Sequence, residues 1–520
     1  MAKKQIKEKS IEEALWESAN KLRGSVEPSE YKHVVLSLIF LKYANDRFFE
    51  RRKLLIDEGK EKFVDNPVFY NAQNVFYMEE ESRWDYLIKN AKQNDIANKI
   101  DKALSLVEQN NPSLKGALPS NYYTSLALDR TKLAALLDEI NSIDTLKDPE
   151  NDLLGRVYEY FLAKFAIAEG KGKGEYYTPK SIVNLIAEMI EPYKGRIYDP
   201  CCGSGGMFVQ SMKFIEAHHG NKLDISIYGQ ENINTTYKLA KMNLAIRGIS
   251  CNLGEMAADT FHNDQHKDLK ADFIMANPPF NQKAWRAENQ LKDDPRWMGY
   301  ETPPTGNANY GWILNIVSKL SVNGVAGFLL ANGALSGDGT ELEIRKQLLK
   351  NHLVEAIVIL PRNMFYSTDI SVTLWILNHN KKARTIQQNG KLVRYRDRED
   401  EVLFIDLRQW GEPFEKKYIQ FSQDQIAKIA ENFHNWQRIG HEQTYHDQPE
   451  YCYSATLDEI EKKGWSLVPS KYIEFKSRDE QIDFDTKMKQ LQAEMRDLLK
   501  QEEESKKALE DLFEQLGYTL

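Results

Sequence analysis

Cysteine, long apolar stretches and surplus positive charge are all scarce in this chain. Cysteine occurs four times in 520 residues, at Cys201, Cys202, Cys251 and Cys452, and the first two are neighbours that would strain to pair with each other. A disulfide-built secreted scaffold is excluded, and a reduced, cytoplasmic compartment is expected. The longest mainly apolar run, Val34 to Leu41 (VVLSLIFL), falls far short of the ~18 residues of a membrane span and reads as a buried helix segment. The basic N-terminus, MAKKQIKEKSIEEALW, lacks the apolar core of a secretory signal. Against 69 Lys and Arg stand 77 Asp and Glu, a net charge of −8, so the chain does not coat nucleic acid through bulk charge. His262 and His266 have the spacing of a helical metal pair, but no Cys or carboxylate cluster completes a site and no metal is expected.

What is present is organised in three parts, matching a prior of roughly one domain per 150 residues. Residues 1–165 read as a helical N-terminal domain. Leu15, Ala19 and Leu22 mark one stripe, GSVEPS (24–29) breaks it, and a second helix runs from Tyr31 through Phe49; amphipathic segments follow at 84–108, 131–140 and 151–168. After a Gly-Lys joint at Glu169 to Gly174, residues 166–400 carry β-branched runs alternating with helices, the pattern of a parallel α/β sheet. Strands are expected at 196–198, 224–228, just before Asp259, and at 273–276, 325–330, 355–359 and 372–377. Residues 401–520 form a C-terminal region that opens with a strand-like 402–406 and ends in a heptad stripe. There Met488, Leu491, Met495, Leu498, Leu509, Leu512 and Leu516 fill seven of nine consecutive a/d positions, a seam narrow enough for one or two facing helices.

Ligands of doubly wound sheets bind at the carboxyl ends of strands, where three turns stand out. Asp199-Pro-Cys-Cys-Gly203-Ser204-Gly205-Gly206 links a strand to a helix, and its glycines let the backbone approach a ligand at the helix N-terminus. Its spacing, with an acidic residue ahead of the glycines, differs from the dinucleotide fingerprint. Glu231, ending the second strand, can accept both hydroxyls of a ribose. Asn277-Pro278-Pro279-Phe280 closes an apolar strand. Its prolines fix φ and lack N–H groups, so the Pro278 carbonyl and the Asn277 amide oxygen can converge on one exocyclic NH2. Phe280 offers a face for stacking. Two acceptors on an amino group reduce its delocalisation into a ring and make the nitrogen a nucleophile without a strong base.

The stretches DPCCGSGG (199–206), GEYYTP (174–179) and NPPF (277–280) resemble motifs I, X and IV of the γ-class N6-adenine DNA methyltransferases. With the helical head and tail, the chain is similar to the modification (M) subunits of type I restriction-modification systems. Ala258-Asp259-Thr260-Phe261 and Asn363 to Thr368 resemble the family's third and eighth motifs less sharply. The resemblance implies an α/β fold, a Rossmann-like S-adenosylmethionine-dependent core with an α-helical N-terminal domain and a helical C-terminal tail. It implies that Glu175, Tyr176, Tyr177, Thr178, Pro179 and Lys180 wrap the methionine part of S-adenosylmethionine. Asp199, Gly203, Ser204, Gly205 and Gly206 would line the same end of the pocket, with Glu231 on the ribose and Asp259 on the cofactor's adenine N6. Asn277 and Pro278, with Pro279, would hold the target amino group, Phe280 would stack on the flipped base, and Phe365 would line the other side of it. The partners implied are a separate specificity (S) subunit that reads double-stranded DNA, docked through the C-terminal helix and the N-terminal domain, and a restriction (R) motor-nuclease subunit, with two M per S.

A delegated reading head suits a chain whose last 45 residues hold 8 basic and 12 acidic side chains. Phosphate contacts are expected, if anywhere, from the basic 381–398 segment and from Lys171 and Lys173. The alternatives are a protein N5-glutamine methyltransferase, whose target amide presents a similar NH2, an inactive assembly scaffold, and a dinucleotide oxidoreductase. Cys201 and Cys202 read as small buried hydrophobes.

Overall fold

The computed structural model describes residues 16–17, 28–126, 128–143, 145, 160–161, 164, 178–365, 369–388, 390–414, 418–475 and 484–515. The stripe at Leu15, Ala19 and Leu22, almost all of the 151–168 segment and the Gly-Lys joint lie outside them. Two compact units are present, residues 1–473 and 474–520.

The head is helical, with α1 (Pro28–Asp57), α2 (Trp84–Asn90), α3 (Ile96–Asn110) and α4 (Arg130–Asn141) as its main elements. Val34 to Leu41 lies in α1, where every apolar member of the run is at most 4% exposed; a segment apolar on all sides must be enclosed on all sides. Buried Asp101 of α3 accepts the backbone N–H groups of Tyr122, Tyr123 and Thr124, and so caps the short helix that follows.

The catalytic part opens with α5 (Lys180–Ile190), β1 (Gly195–Asp199), α6 (Gly206–Ala217), β2 (Ile225–Gly229), α7 (Asn234–Ala245), β3 (Cys251–Asn252) and β4 (Ala271–Ala276). It continues with α8 (Asn309–Lys319), β5 (Leu320–Ala331), α9 (Thr340–Lys350), β6 (Val354–Ile359), β7 (Val372–Asn378), a hairpin of β8 (Arg384–Gln388) and β9 (Lys391–Tyr395), and β10 (Glu401–Asp406). A small hairpin of β11 (Glu412–Phe414) and β12 (Tyr418–Gln420), α10 (Gln423–Gln437) and β13 (Cys452–Thr456) complete it. One nine-stranded sheet runs β13-β10-β6-β7-β5-β4-β1-β2-β3. Its central strands read as unbroken apolar runs because both faces are covered: Val372, Leu374 and Ile376 of β7 enter one core layer, Trp375 and Leu377 the other.

Three sequence expectations are corrected. The sheet is not wholly parallel: β7 runs antiparallel to both β5 and β6. Among the described residues no helix lies between β6 and β7, and without a crossover helix a short connection turns the chain back on itself. The short third strand is Cys251–Asn252 and does not abut Asp259, which follows a loop held by the Gln265 side chain against Glu255, Met256 and the Met256 carbonyl. Finally, the sheet does not stop near residue 400. β10 pairs parallel with β6, and β13 pairs antiparallel with β10.

Chain order reverses between β1 and β4, which pair in parallel with β2 on the far side of β1. At such a reversal the helices leave to opposite faces and a crevice opens at the carboxyl ends. Asp199 and Asn277 therefore emerge side by side. α7 packs between the sheet and the head: Tyr237, Ala240 and Leu244 join the sheet's core, Leu239 and Met242 the core of the head.

The second unit is described by α11 (Phe484–Gln515), a helix of 32 residues. Met488, Leu491, Met495, Leu498, Leu509 and Leu512 are between 41% and 61% exposed along it. Leu516 lies outside the described residues.

Candidate active site

The glycine loop is tied to the end of β2 by its backbone. Gln230 N–H donates to the Asp199 carbonyl (3.0 Å) and Cys202 N–H to the Gln230 carbonyl (2.9 Å). The Glu231 carboxylate then bridges two segments, accepting from Gly203 N–H at 3.0 Å and Ile233 N–H at 2.8 Å. Gly203 and Gly205 hold φ of 55° and 81°, values that favour glycine. A Cβ added at Gly203 or Gly206 would meet nothing within 4 Å, so space is left above the loop.

Asp199 accepts from Cys201 N–H at 3.0 Å and is 2% exposed. Burial, reinforced by the Glu231 carboxylate, pushes its carboxyl up to about 7 against the opposing pull of that hydrogen bond. Burial and the same two carboxylates push the Cys201 and Cys202 thiols well up, so neither is a thiolate nucleophile.

Asp259 uses Oδ1 to accept from Phe261 N–H (2.8 Å) and His262 N–H (3.1 Å). The Thr260 hydroxyl reaches back to the Pro200 carbonyl, locking this turn onto the glycine loop. His262 meets Asp259 through Nδ1, and His266 Nε2 bonds the Gly229 carbonyl, so both imidazoles are engaged structurally. Among the described residues no group of three or more His, Cys, Asp or Glu gathers as a metal site.

Asn277 follows β4 and is 7% exposed. Its Nδ2 donates to Thr178 Oγ1 at 3.0 Å, while its Oδ1, screened from solvent, has no hydrogen-bond partner among the described residues. Phe280 is half-buried and meets Phe365 edge to face, ring centroids 6.1 Å apart at 83°.

A cavity of about 260 Å³ gathers Gly203, Glu231, Asp259, Asn277 and Pro279. Thr178 joins them through Asn277, and Asp199 through the Cys201 turn. Ser204, Gly205, Gly206, Pro278 and Phe280 flank the cavity without being among its lining residues, Pro179 is buried ahead of α5, and Lys180 is exposed on the first turn of α5. Glu175, Tyr176 and Tyr177 lie outside the described residues. Gln282 and Trp312 also line the cavity, with Gln282 Oε1 and Trp312 Nε1 buried and without a partner among the described residues. Sequence reasoning passed them over, since a Trp among the apolar residues of α8 carries no signal beyond core packing.

The basic 381–398 segment is turned largely inward. Arg398 forms an ion pair with Glu355 in which both side chains are 0% exposed, and Lys381 donates to the Val354 and Glu401 carbonyls. Arg396 pairs with Glu401, and Arg384 lies over Tyr395. Lys391 and Arg394 on β9 are exposed.

A sheet with an antiparallel seventh strand inserted beside the fifth, and acidic residues closing the first two strands, defines an S-adenosylmethionine-dependent methyltransferase fold; Asn-Pro-Pro-Phe at β4 marks one that methylates an amino nitrogen. Residues 149–481 match the family N-6 DNA Methylase, and residues 11–140 match the HsdM N-terminal domain. The methylase subunit of the type I restriction enzyme MjaIX from Methanocaldococcus jannaschii is 36% identical over 98% of this chain and 92% of its own. That of HindI from Haemophilus influenzae is 43% identical over 81% of this chain and 93% of its own. The solved methyltransferase subunit of a type I restriction-modification system from Streptococcus thermophilus shares the fold, with a TM-score of 0.73, 22% identity, and coverage of 89% of this chain and 99% of its own. The chain belongs to the N-6 DNA methylase family, among the methylase subunits of type I restriction enzymes. It is a DNA adenine N6-methyltransferase, and the glutamine-methyltransferase alternative is not favoured.

Proposed function

We propose that this chain's site holds S-adenosylmethionine and one adenine extruded from double-stranded DNA, the cofactor supplying an electrophilic methyl group. The donor set suits it. Asp199 supplies a buried carboxylate for a cationic amino acid, Glu231 suits ribose hydroxyls, Asp259 suits an adenine amino group, and the open space above Gly203 and Gly206 admits a ligand close to the backbone.

The observation that carries the reading is Asn277 Oδ1, an acceptor held out of water without a partner. Such an atom costs about 1–3 kcal/mol until a donor arrives. The adenine N6 amino group is that donor, shared with the Pro278 carbonyl. Phe280 stacks on the base, and Phe365, expected across the base, instead packs edge to face on the Phe280 ring and steadies it. Neither an amide nor a carbonyl is basic enough to keep the surplus proton, which leaves to solvent after transfer.

Sequence reading falls to the specificity subunit, to which the apolar seam of α11 docks, while the restriction subunit completes the assembly and host DNA is protected by the methyl mark. The work is placed in the cytoplasm, with the DNA. The test is transfer of labelled methyl from S-adenosylmethionine to DNA, with and without a co-expressed specificity subunit. Labelled DNA only in its presence is the expected result; labelled protein with unlabelled DNA in both would overturn the reading.

A further inference from the structure

The family resemblance assigns Thr178 to the cofactor's methionine end, but the structure gives its hydroxyl another task. A side-chain amide has an acceptor at one end and a donor at the other, and turning it over exchanges the two. With oxygen toward adenine N6, Asn277 accepts an amino hydrogen. With nitrogen toward it, two donors face each other and the amino lone pair is not released. The group at the other end is Thr178 Oγ1, 3.0 Å from Nδ2; a hydroxyl donates as well as accepts, so it is the adenine amino group that selects Oδ1, and Thr178 then accepts from Nδ2 and holds the amide in its plane. Oδ1 is the end left without a partner.

The backbone that carries this hydroxyl is well anchored. Thr178 precedes Pro179, which restricts it to extended backbone, and Pro179 is buried, with φ −56° and ψ 137°, ahead of α5. The helix is pressed onto the sheet where β5 has Gly327: a Cβ there would stand 2.7 Å from Ile186 Cγ2. Position is thus transmitted from the α5–β5 contact through Pro179 to one hydroxyl, and from it to the Asn277 amide.

We propose that Thr178 is a positioning residue for the methyl-transfer step: by accepting from Asn277 Nδ2 it holds the amide plane with Oδ1 directed at the adenine amino group. The inference rests on the assignment of Asn277 to the target base. A Thr178 that chiefly gripped the cofactor would show its effect in cofactor binding; a Thr178 that orients Asn277 shows it in turnover.

The test uses the full chain co-expressed with its specificity subunit, labelled S-adenosylmethionine, and genomic DNA from a host without adenine methylation. Thr178→Val removes the hydroxyl at nearly constant shape, Thr178→Ser keeps it, Thr178→Ala serves if the Val variant fails to fold, and Asn277→Ala is the reference. Thr178→Val is expected to lower the rate at saturating cofactor and DNA by about tenfold to a hundredfold, the worth of one hydrogen bond in a buried site. Cofactor affinity should stay within about threefold, and Thr178→Ser should recover most of the rate, since the hydroxyl acceptor is restored. A cofactor affinity that collapses in Thr178→Val while the saturated rate holds overturns the proposal, as does a Ser variant no better than Val. If Asn277→Ala is inactive and Thr178→Val (or Ala) is fully active, the proposal alone fails; if Asn277→Ala is itself active, the assignment of Asn277 fails with it.

Discussion

At the carboxyl ends of β1, β2 and β4 the protein withholds partners from polar atoms: Asn277 Oδ1, Gln282 Oε1 and Trp312 Nε1 are buried around one cavity with no hydrogen bond among the described residues. On α11 it withholds cover from apolar ones, six Leu and Met side chains at a/d positions, about half exposed. Both are unfavourable in isolation, and each specifies its remedy. Buried polar atoms call for a small ligand with matched donors and acceptors; a narrow apolar seam calls for another helix. One protein therefore carries two kinds of incompleteness, one answered by chemistry and the other by assembly, and each should be separable by mutation.

The sharpest separation is Asn277→Ala, which should cut methyl transfer to DNA by about a hundred- to a thousandfold, the range seen when one group that stabilises a transition state is removed. Calorimetry should find cofactor and specificity-subunit binding intact. Next in size, Met495→Asp with Leu498→Asp should weaken binding of the specificity subunit by about a hundredfold or more, each seam residue being worth roughly 1.5–3 kcal/mol when buried. Sedimentation of the mixed subunits measures it, and an unchanged complex would remove α11 from the interface. Cofactor binding by the variant should match that of the parent protein.

Glu231→Gln, a smaller change, keeps the shape but turns a charged acceptor neutral, and should lower cofactor affinity by about tenfold. The smallest effect is that of pH. Asp199 in the folded protein ionises at about 7, above its ordinary value of 3.8. A cationic ligand needs it ionised, so cofactor affinity should fall below pH 7 by at most about tenfold per pH unit. The folded protein holds a proton that the unfolded chain has released, so this group's contribution to stability is lost as pH rises from about 4 through 7. Melting of the ligand-free Asp199→Asn variant should lack that slope, and a slope unchanged by the substitution would assign it to other groups.

Much of the fold was legible in the residues. β6 and the C-terminal halves of β4 and β5 lie buried on both faces and so appear as apolar runs, and the three turns that gather at the cavity stood out by residue type alone. Other features depend on facts that no local stretch encodes. The direction of β7 follows from what lies between it and β6. The strand pair β10 and β13 extends the sheet past residue 400 because β6 offers an open edge. Lys381 and Arg398 look like surface charge until Glu355, an acidic residue within the apolar β6, is seen to face Arg398 from inside. Gln282 and Trp312 reach the cavity only through the path of the 281–308 segment, and the role of Thr178 required knowing which end of an amide it touches.

Helix α7 has a further bearing on how such a chain can be cut or recombined. Because Leu239 and Met242 belong to the core of the head while Tyr237, Ala240 and Leu244 belong to the sheet, neither part owns a complete wall. A catalytic fragment beginning at residue 178 would carry an uncovered apolar face on α7, and a head grafted from a distant relative would have to match that face side chain by side chain. The recombination unit in this protein is therefore head and sheet together, whatever the linker between them permits.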